Sequence, residues 1–417
     1  MRAIFRNCLR SARWPGKRPV AAAAAGGLSA LAFVWRYNVH ADAAGKPYGA
    51  RVFCFGSGQY NQLGLGDGMN RDIPTELSSL EESISGVSAG LHNSAAVTDG
   101  GALYTWGRGQ RLVLGHGDRS EIPYPRQVDA LSDVHVVQVS LNEFAAAALD
   151  KDGAVYTWGS RALGREGKGE YPEKVTSLEG IPISKIACGS SHTIAIAQDG
   201  KLYAWGSGYE GALGLDESVD RKEPTVVPGI DAKHVACGKA FTLVINKEGK
   251  LISFGAGDYG QTGHGGGPSS ERYTRKPKII KTLEKHTILH ADAGVYHSAC
   301  VTDEGRVFTW GYGKDGQCGH GDRAVHSPLP RQVASLKNKR AIKVSCGDGH
   351  TAVLCEGGQL YVFGRGRDGQ LGRGDHLESV ASYRTEPMCV DFFASGSLHV
   401  KAVTLGGYHS VVLASSK

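Results

Sequence analysis

The stretch Cys346 to Asp375, CGDGHTAVLCEGGQLYVFGRGRDGQLGRGD, holds two apolar strands around a glycine turn, and its reading decides the fold. Ala352 to Cys355 runs into Glu356-Gly357-Gly358 and then into Leu360-Tyr361-Val362-Phe363, closed by Gly364. β-branched and aromatic residues suit a pleated, buried surface, and adjacent glycines admit the positive φ angles of a tight hairpin.

The same unit recurs on both sides. Its aromatic strand appears as VFCFG, LYTWG, VYTWG, LYAWG, LISFG, VFTWG and LYVFG, with the last aromatic at Phe55, Trp106, Trp158, Trp205, Phe254, Trp310 and Phe363. Successive steps of 51, 52, 47, 49, 56 and 53 residues leave room for four short strands per unit. The partner strand appears six times before its aromatic neighbour and a seventh time at the C-terminus, as HSVVLASSK. The first aromatic strand (52–55) therefore lacks a preceding partner and the last apolar strand (410–414) lacks a following one. Pairing the two closes a ring and removes the exposed edges, so the pattern predicts an all-β, seven-bladed β-propeller over residues 51–417. An open solenoid needs distinct capping repeats, and none is visible. Prolines at 74, 123, 172, 224, 277, 328 and 387 mark the outermost strand of each blade, because proline is tolerated only where no ladder donor is needed.

Composition agrees. The 59 glycines are about twice the usual share of ~7% and imply many turns. The net charge of +6 resides in the leader: residues 1–46 carry eight Lys/Arg and one acid, leaving 39 basic and 40 acidic residues in the body. An electrically balanced body offers no bulk cation cluster for neutralising phosphates, so nucleic acid is not an expected partner. None of the nine cysteines forms CxxC; Cys188, Cys237 and Cys346 share one repeat position and read as small buried residues.

Ahead of the repeats, residues 1–18 place basic residues at 2, 6, 10 and 13 with no acid, as a mitochondrial presequence does. Residues 19–36 contain an uncharged run from Val20 to Trp35, which at 1.5 Å per residue reaches ~25 Å, short of a ~30 Å hydrocarbon core. A presequence followed by a single membrane-spanning helix is the favoured reading, with 37–50 a linker. The positive-inside rule then puts the propeller in the intermembrane space. The alternatives are a removed leader that releases the body into the matrix, and a secretory signal cleaved near Ala41-Asp42-Ala43. The absence of any Asn-x-Ser/Thr sequon weighs against the last.

The repeats carry a resemblance in GQLGRGD (369–375), in QCGHGD (317–322) and in the CGxxH of 188–192 and 346–350. They resemble the regulator-of-chromosome-condensation family of seven-bladed propellers. The resemblance implies a non-enzymatic interaction propeller like mitochondrial members that support respiratory-complex assembly, or, alternatively, a guanine-nucleotide exchange factor. Protein partners are then respiratory-complex subunits or a GTPase, with the membrane reached through residues 19–36. The third unit departs from the pattern: SRALGREGKGE replaces its glycine turn, and Asn142-Glu143-Phe144 its CGxxH.

Several apparent motifs lose their chemistry in context. Four G-x-G-x-x-G spellings follow strands, but more glycine follows each, so no helix can start to hold a pyrophosphate and no cofactor is expected. His192, His297, His350 and His409 recur at one position that Phe144 and Phe241 are expected to fill in other units, which points to packing rather than metal or acid-base chemistry. No catalytic or metal site is assigned. Partner contacts are expected instead where loops break the repeat: Arg161, Arg165, Glu166 and Lys168 in the third turn, Lys314 and Asp315 in the sixth, Arg365, Arg367 and Asp368 in the seventh.

Overall fold

A computed structural model describes residues 49–265, 272–374, 383–394 and 398–416. The leader, the expected span at 19–36, most of the linker and Asp375 lie outside these residues. Among the described residues no helix is long and apolar enough to cross a membrane.

Seven four-stranded antiparallel sheets are present among the described residues. Six are contiguous in sequence, spanning 84–127, 136–174, 183–227, 232–279, 288–332 and 341–389. The seventh joins the two ends of the chain. Its strands run Arg71–Glu76, Arg51–Gly56, His409–Ser416 and Leu398–Leu405, with Val52 opposite Leu413 and Phe55 opposite Ser410. In every blade the first strand lies at the axis and the fourth at the rim, except that the closing blade takes its inner pair from the C-terminus; the fourth strand carries the expected proline in six blades, while in the third unit it is only Glu173–Lys174 and Pro172 lies just before it. Pro74, Pro224, Pro277, Pro328 and Pro387 all sit in rim strands.

The core is a set of seven apolar layers between blades. The aromatic that ends each third strand fills the gap to its neighbour: Trp106, Trp158, Trp205, Trp310, Phe55, Phe254 and Phe363 are all fully buried. The indoles also satisfy polar groups, since Trp106, Trp158, Trp205 and Trp310 donate Nε1–H to the carbonyls of Gln62, Val113, Ala162 and Gln261 in the preceding blade. A buried Trp with its N–H satisfied contributes area without leaving an unpaired donor.

The recurring histidines are part of the same seam. His192, His297, His350 and His409 lie 2.8–3.2 Å through Nε2 from the hydroxyls of Thr242, Thr351, Ser410 and Ser94 on the next blade. Each hydroxyl donates to a turn carbonyl, at Ala212, Gln317, Gln370 and Gln62. The hydroxyl oxygen must therefore accept from the imidazole, which fixes the Nε2–H tautomer. One sequence expectation is corrected here. The residue facing the strand-end glycine in the third unit is Ala145, opposite Gly159, whereas Phe241 faces Gly255 as expected. Phe144 precedes that position and lies in the loop.

The glycine turn requires a left-handed residue at one point, filled by Gly211, Gly260, Gly316 and Gly369 but by Asn61, Leu112 and Ala162 elsewhere. At Gly369 an added Cβ would stand 2.5 Å from the Arg71 carbonyl of the closing blade. Gly357, in the hairpin of the same blade, has φ of +82° with nothing within 4 Å. Gly369→Ala should therefore lower stability by ~2 kcal/mol or more, strain and overpacking together. Gly357→Ala should cost ~1 kcal/mol from strain alone. Urea midpoints of the two variants check this, and equal losses would contradict the blade contact.

Candidate functional site

Antiparallel order puts two sets of loops on one face of the disc: the short turns between first and second strands, and the glycine turns between third and fourth. The hairpins between second and third strands, and the connections to the next blade, form the other face. All nine residues that the sequence singles out belong to the first face, and the structure sorts them.

Arg165 is turned inward, its side chain 7% exposed and ion-paired to Glu173 at 2.8 Å. It also donates to the carbonyls of Glu166, Thr157 and Tyr171, so it props the degenerate turn in place of missing glycines. Arg365 is likewise held, with Nε 2.9 Å from Asp315 and Nη1 3.2 Å from Asp348, and its guanidinium 5.8 Å from the Tyr408 ring. Burial pushes the Asp348 carboxyl up, against the pull of Arg365. Asp368 is half-buried and is also pushed up by burial. These residues form the rigid frame of the face.

The outward groups are Arg161, Glu166, Lys168, Lys314 and Arg367, all exposed. Arg161 lies 5.1 Å from the Phe144 ring, whose other neighbour is Arg111 at 4.8 Å. Arg367 donates to the Tyr383 hydroxyl at 2.6 Å and shares that ring with Arg323, 4.3 Å away. Glu166 pairs loosely with Lys222 at 3.6 Å, both in solvent, which contributes little. The Lys314 carbonyl accepts from Arg323.

What sequence reading missed is aromatic. Tyr259 packs edge-on against Tyr296 and Tyr312, centroids 5.0 Å apart in each case, and Lys239 donates to the Tyr296 hydroxyl at 2.8 Å. Tyr60, His92 and Tyr408 make a second column, the last two stacked within 2° of parallel, with Arg108 4.3 Å from Tyr60. A groove of about 780 Å³ runs from Phe144 and Arg161 past Tyr209, Tyr259 and Tyr296 to Val325. Within it Glu210 occupies a left-handed conformation, φ 60°, and its carboxyl is pushed up by burial and by neighbouring Asp258. Asp258 is itself ion-paired to Arg272 at 2.9 Å.

A signal for these residues exists in the repeats. The residue just before the histidine position is aromatic in four units, as His92, Phe144, Tyr296 and Tyr408, and the glycine turn carries Tyr60, Tyr209 and Tyr259. Setting Phe144 in the histidine column hid the first of these series.

Chemistry of other kinds finds little here. Among the described residues no group of three His, Cys, Asp or Glu is arranged to hold a metal, and the eight described cysteines are free thiols. Asp67, Asp118 and Asp322 accept backbone N–H groups two residues on, as turn residues do. His116, His264 and His320 each bond a hydroxyl of their own blade, at Thr105, Ser253 and Thr309.

A closed seven-bladed ring with a loop face of tyrosines and arginines defines a propeller of the interaction class. The chain belongs to the regulator of chromosome condensation (RCC1) repeat family, whose repeat matches residues 50–97, 100–148, 152–196, 199–245, 248–301, 304–354 and 357–413. It is 33% identical over 350 residues to the ultraviolet-B receptor UVR8 of Arabidopsis thaliana, covering 82% of this chain and 78% of the relative. It is 28% identical over 370 residues to the RCC1 domain-containing protein RUG3, mitochondrial, of the same plant, covering 87% and 72%. Against the human E3 ubiquitin-protein ligase HERC2 it is 32% identical over 304 residues, spanning 5% of that protein's length. The fold superimposes on Prp20p of Saccharomyces cerevisiae with a TM-score of 0.78 at 21% identity, covering 88% of this chain and 92% of the other. Human WBSCR16 gives 0.75 at 22%, covering 88% and 99%.

Proposed function

We propose that this chain is a non-enzymatic interaction propeller of mitochondria, tethered to the inner membrane through residues 19–36, that supports the assembly or stability of a respiratory-chain complex. The observation that carries the docking role is the groove of the loop face, where Tyr209, Tyr259 and Tyr296 meet Lys239 and Arg161. Tyrosine and arginine are the side chains that dominate binding energy at protein interfaces, because they bring large contact area at low entropy cost together with directional hydrogen bonds. The mitochondrial assignment rests on the acid-free basic leader and on the likeness to RUG3.

The test is affinity capture from detergent-solubilised mitochondria, with native gels of the respiratory complexes after deletion of the gene. Respiratory subunits should be captured, and Tyr259→Ala/Tyr296→Ala should weaken capture by about tenfold or more, since a hot-spot tyrosine contributes ~2 kcal/mol. Capture of no respiratory subunit, with complexes intact after deletion, sinks the proposal.

A second reading, exchange of guanine nucleotide on a mitochondrial GTPase, is supported by the carboxylates Asp315 and Asp348 held by Arg365 on the same face. Release of labelled GDP from candidate GTPases decides it, and no acceleration above the spontaneous rate removes it.

A further inference from the structure

The opposite end of the axial channel carries an arrangement that the docking face does not explain. Each innermost strand has a bulge near its start, after the first paired residue in six blades and after the third, Val400, in the closing blade, and the residue that follows the bulge occupies the same level in every blade. In four consecutive blades that residue is Lys185, His234, His290 and Lys343. The other three blades place Ala402, Gly86 and Gln138 there. Half of the ring thus presents nitrogen bases and half is small or neutral, and no acid shares the level.

Neither Lys185 nor Lys343 makes a hydrogen bond or ion pair among the described residues. Desolvation pushes both ammonium groups down; Lys233 adds to the effect on Lys185, and on Lys343 the pull of Asp292 opposes it while Lys185 adds to it. His234 donates to the Ala291 carbonyl at 2.8 Å, but Nδ1 of neighbouring His290, 4.7 Å away centroid to centroid, is shut off from solvent with no partner. The nearest acid, Asp292, stands one level up and is committed to the backbone N–H groups of Cys346 and Ala293. His234, His290, Asp292 and Lys343 line a cavity of about 250 Å³.

Lys185 is exposed and Lys343 half-buried, and cations gathered on one level of a channel repel one another unless an anion compensates them. The hairpin-turn face gives access, since the ring lies two residues from where these strands begin. We propose that the half-ring Lys185, His234, His290 and Lys343 is a binding site for a phosphoryl oxyanion. Two ammonium groups match a doubly charged ligand, and a tetrahedral oxyanion offers acceptors to the two lysines and to the unpartnered His290 nitrogen, donors from three blades, which a halide or a single carboxylate does not. The empty half of the ring at Gly86 and Ala402 gives it room. At the bulge position below, Val137, Leu289 and Ile342 are each nearly half exposed, and Lys233 and Lys401 occupy the same position in two other blades. The phosphoryl group accordingly arrives either free in solution or on a lipid headgroup.

The experiment is thermal unfolding of the full chain in detergent with increasing orthophosphate, against sodium chloride of equal ionic strength. It runs in parallel with flotation on phosphatidylcholine vesicles with and without phosphatidic acid. Saturable protection by orthophosphate, roughly 4 °C at a hundredfold excess over Kd, assigns the free anion. Flotation that needs phosphatidic acid, without orthophosphate protection, assigns the headgroup. In either case Lys185→Met/Lys343→Met must abolish the response while melting no lower than the parent in the absence of ligand, because it removes two like charges that make no ion pair. Ala402→Asp, which sets a carboxylate across from the lysines, must abolish it too. Saturable broadening of the orthophosphate phosphorus-31 line by the unaltered protein gives a reading free of any variant. Response to neither probe, an equal response to chloride, or a response that survives both variants overturns the site.

Discussion

Truncation after Tyr408 should leave no cooperatively folded propeller, whereas removal of residues 1–46 should leave the melting temperature nearly unchanged. The nine residues lost contain the strand His409–Ser416, which pairs on one side with Arg51–Gly56 and on the other with Leu398–Leu405. Val411, Val412, Leu413 and Ala414 are at most 1% exposed, and each full side chain of this size contributes ~1.5–3 kcal/mol on burial. Losing the three larger ones and Ala414, with both hydrogen-bond ladders, is comparable to the 5–15 kcal/mol by which a typical domain is stable. The damage spreads because the closing blade is also the neighbour of two others: His409 bonds Ser94, and Ser410 receives His350. A circular dichroism melt of each truncation checks both halves, and similar losses from the two ends would contradict closure by the terminal strand.

Acidification should be nearly as damaging, and its onset should lie close to pH 6.5. Burial depresses His192 and His234 to about 4 and His297, His350 and His409 to about 3, from an ordinary 6.5. In His350 the neighbouring His409 and His297 add to the effect. A depressed folded-state value means that between pH 6.5 and 3 the unfolded chain binds the proton and the folded chain does not. Stability is therefore complete above pH 6.5 and falls as pH drops through this window. Each such group contributes a slope of up to ~1.4 kcal/mol per pH unit. Asp292, Asp348 and Asp368, raised by burial, act in the opposite direction because the folded chain takes up their protons first. Five depressed imidazoles outnumber them, so urea midpoints should drop steeply from pH 6.5 to 5. His297→Asn, which installs the residue that Asn93 provides in another blade, should reduce that slope by about one proton. An unchanged slope in this variant would remove the histidine seam as the cause.

The architecture was legible because each requirement of the fold is local and is repeated seven times. An aromatic before a glycine, a proline at the rim and a polar turn each constrain the chain within a few residues, and the offset between the two strand series carries the closure as well. The loop face was legible only in part. Arg165 and Arg365 look from their sequence neighbourhood like exposed departures from the repeat. Their counterions Glu173 and Asp315 come from the rim strand and from the preceding blade, at separations of 8 and 50 residues. Composition of the loop alone cannot distinguish such a brace from a free contact. Phe144 shows a different failure, in which a one-residue slip in an atypical unit moved a half-buried loop aromatic into a buried column.

The repeat in Cys346 to Asp375, by itself, determined the number of blades, the strands in each and the identity of the pair that closes the ring, since hydrophobic period and turn chemistry act over short distances along the chain. The tertiary structure alone decided which side chains meet: Tyr259 with Tyr296 and Tyr312, Arg365 between two aspartates, and Lys185 and Lys343 on one level of the channel. Those groups are brought together by ring closure, which fixes neighbours from different blades at ångström distances that no spacing along a single repeat encodes.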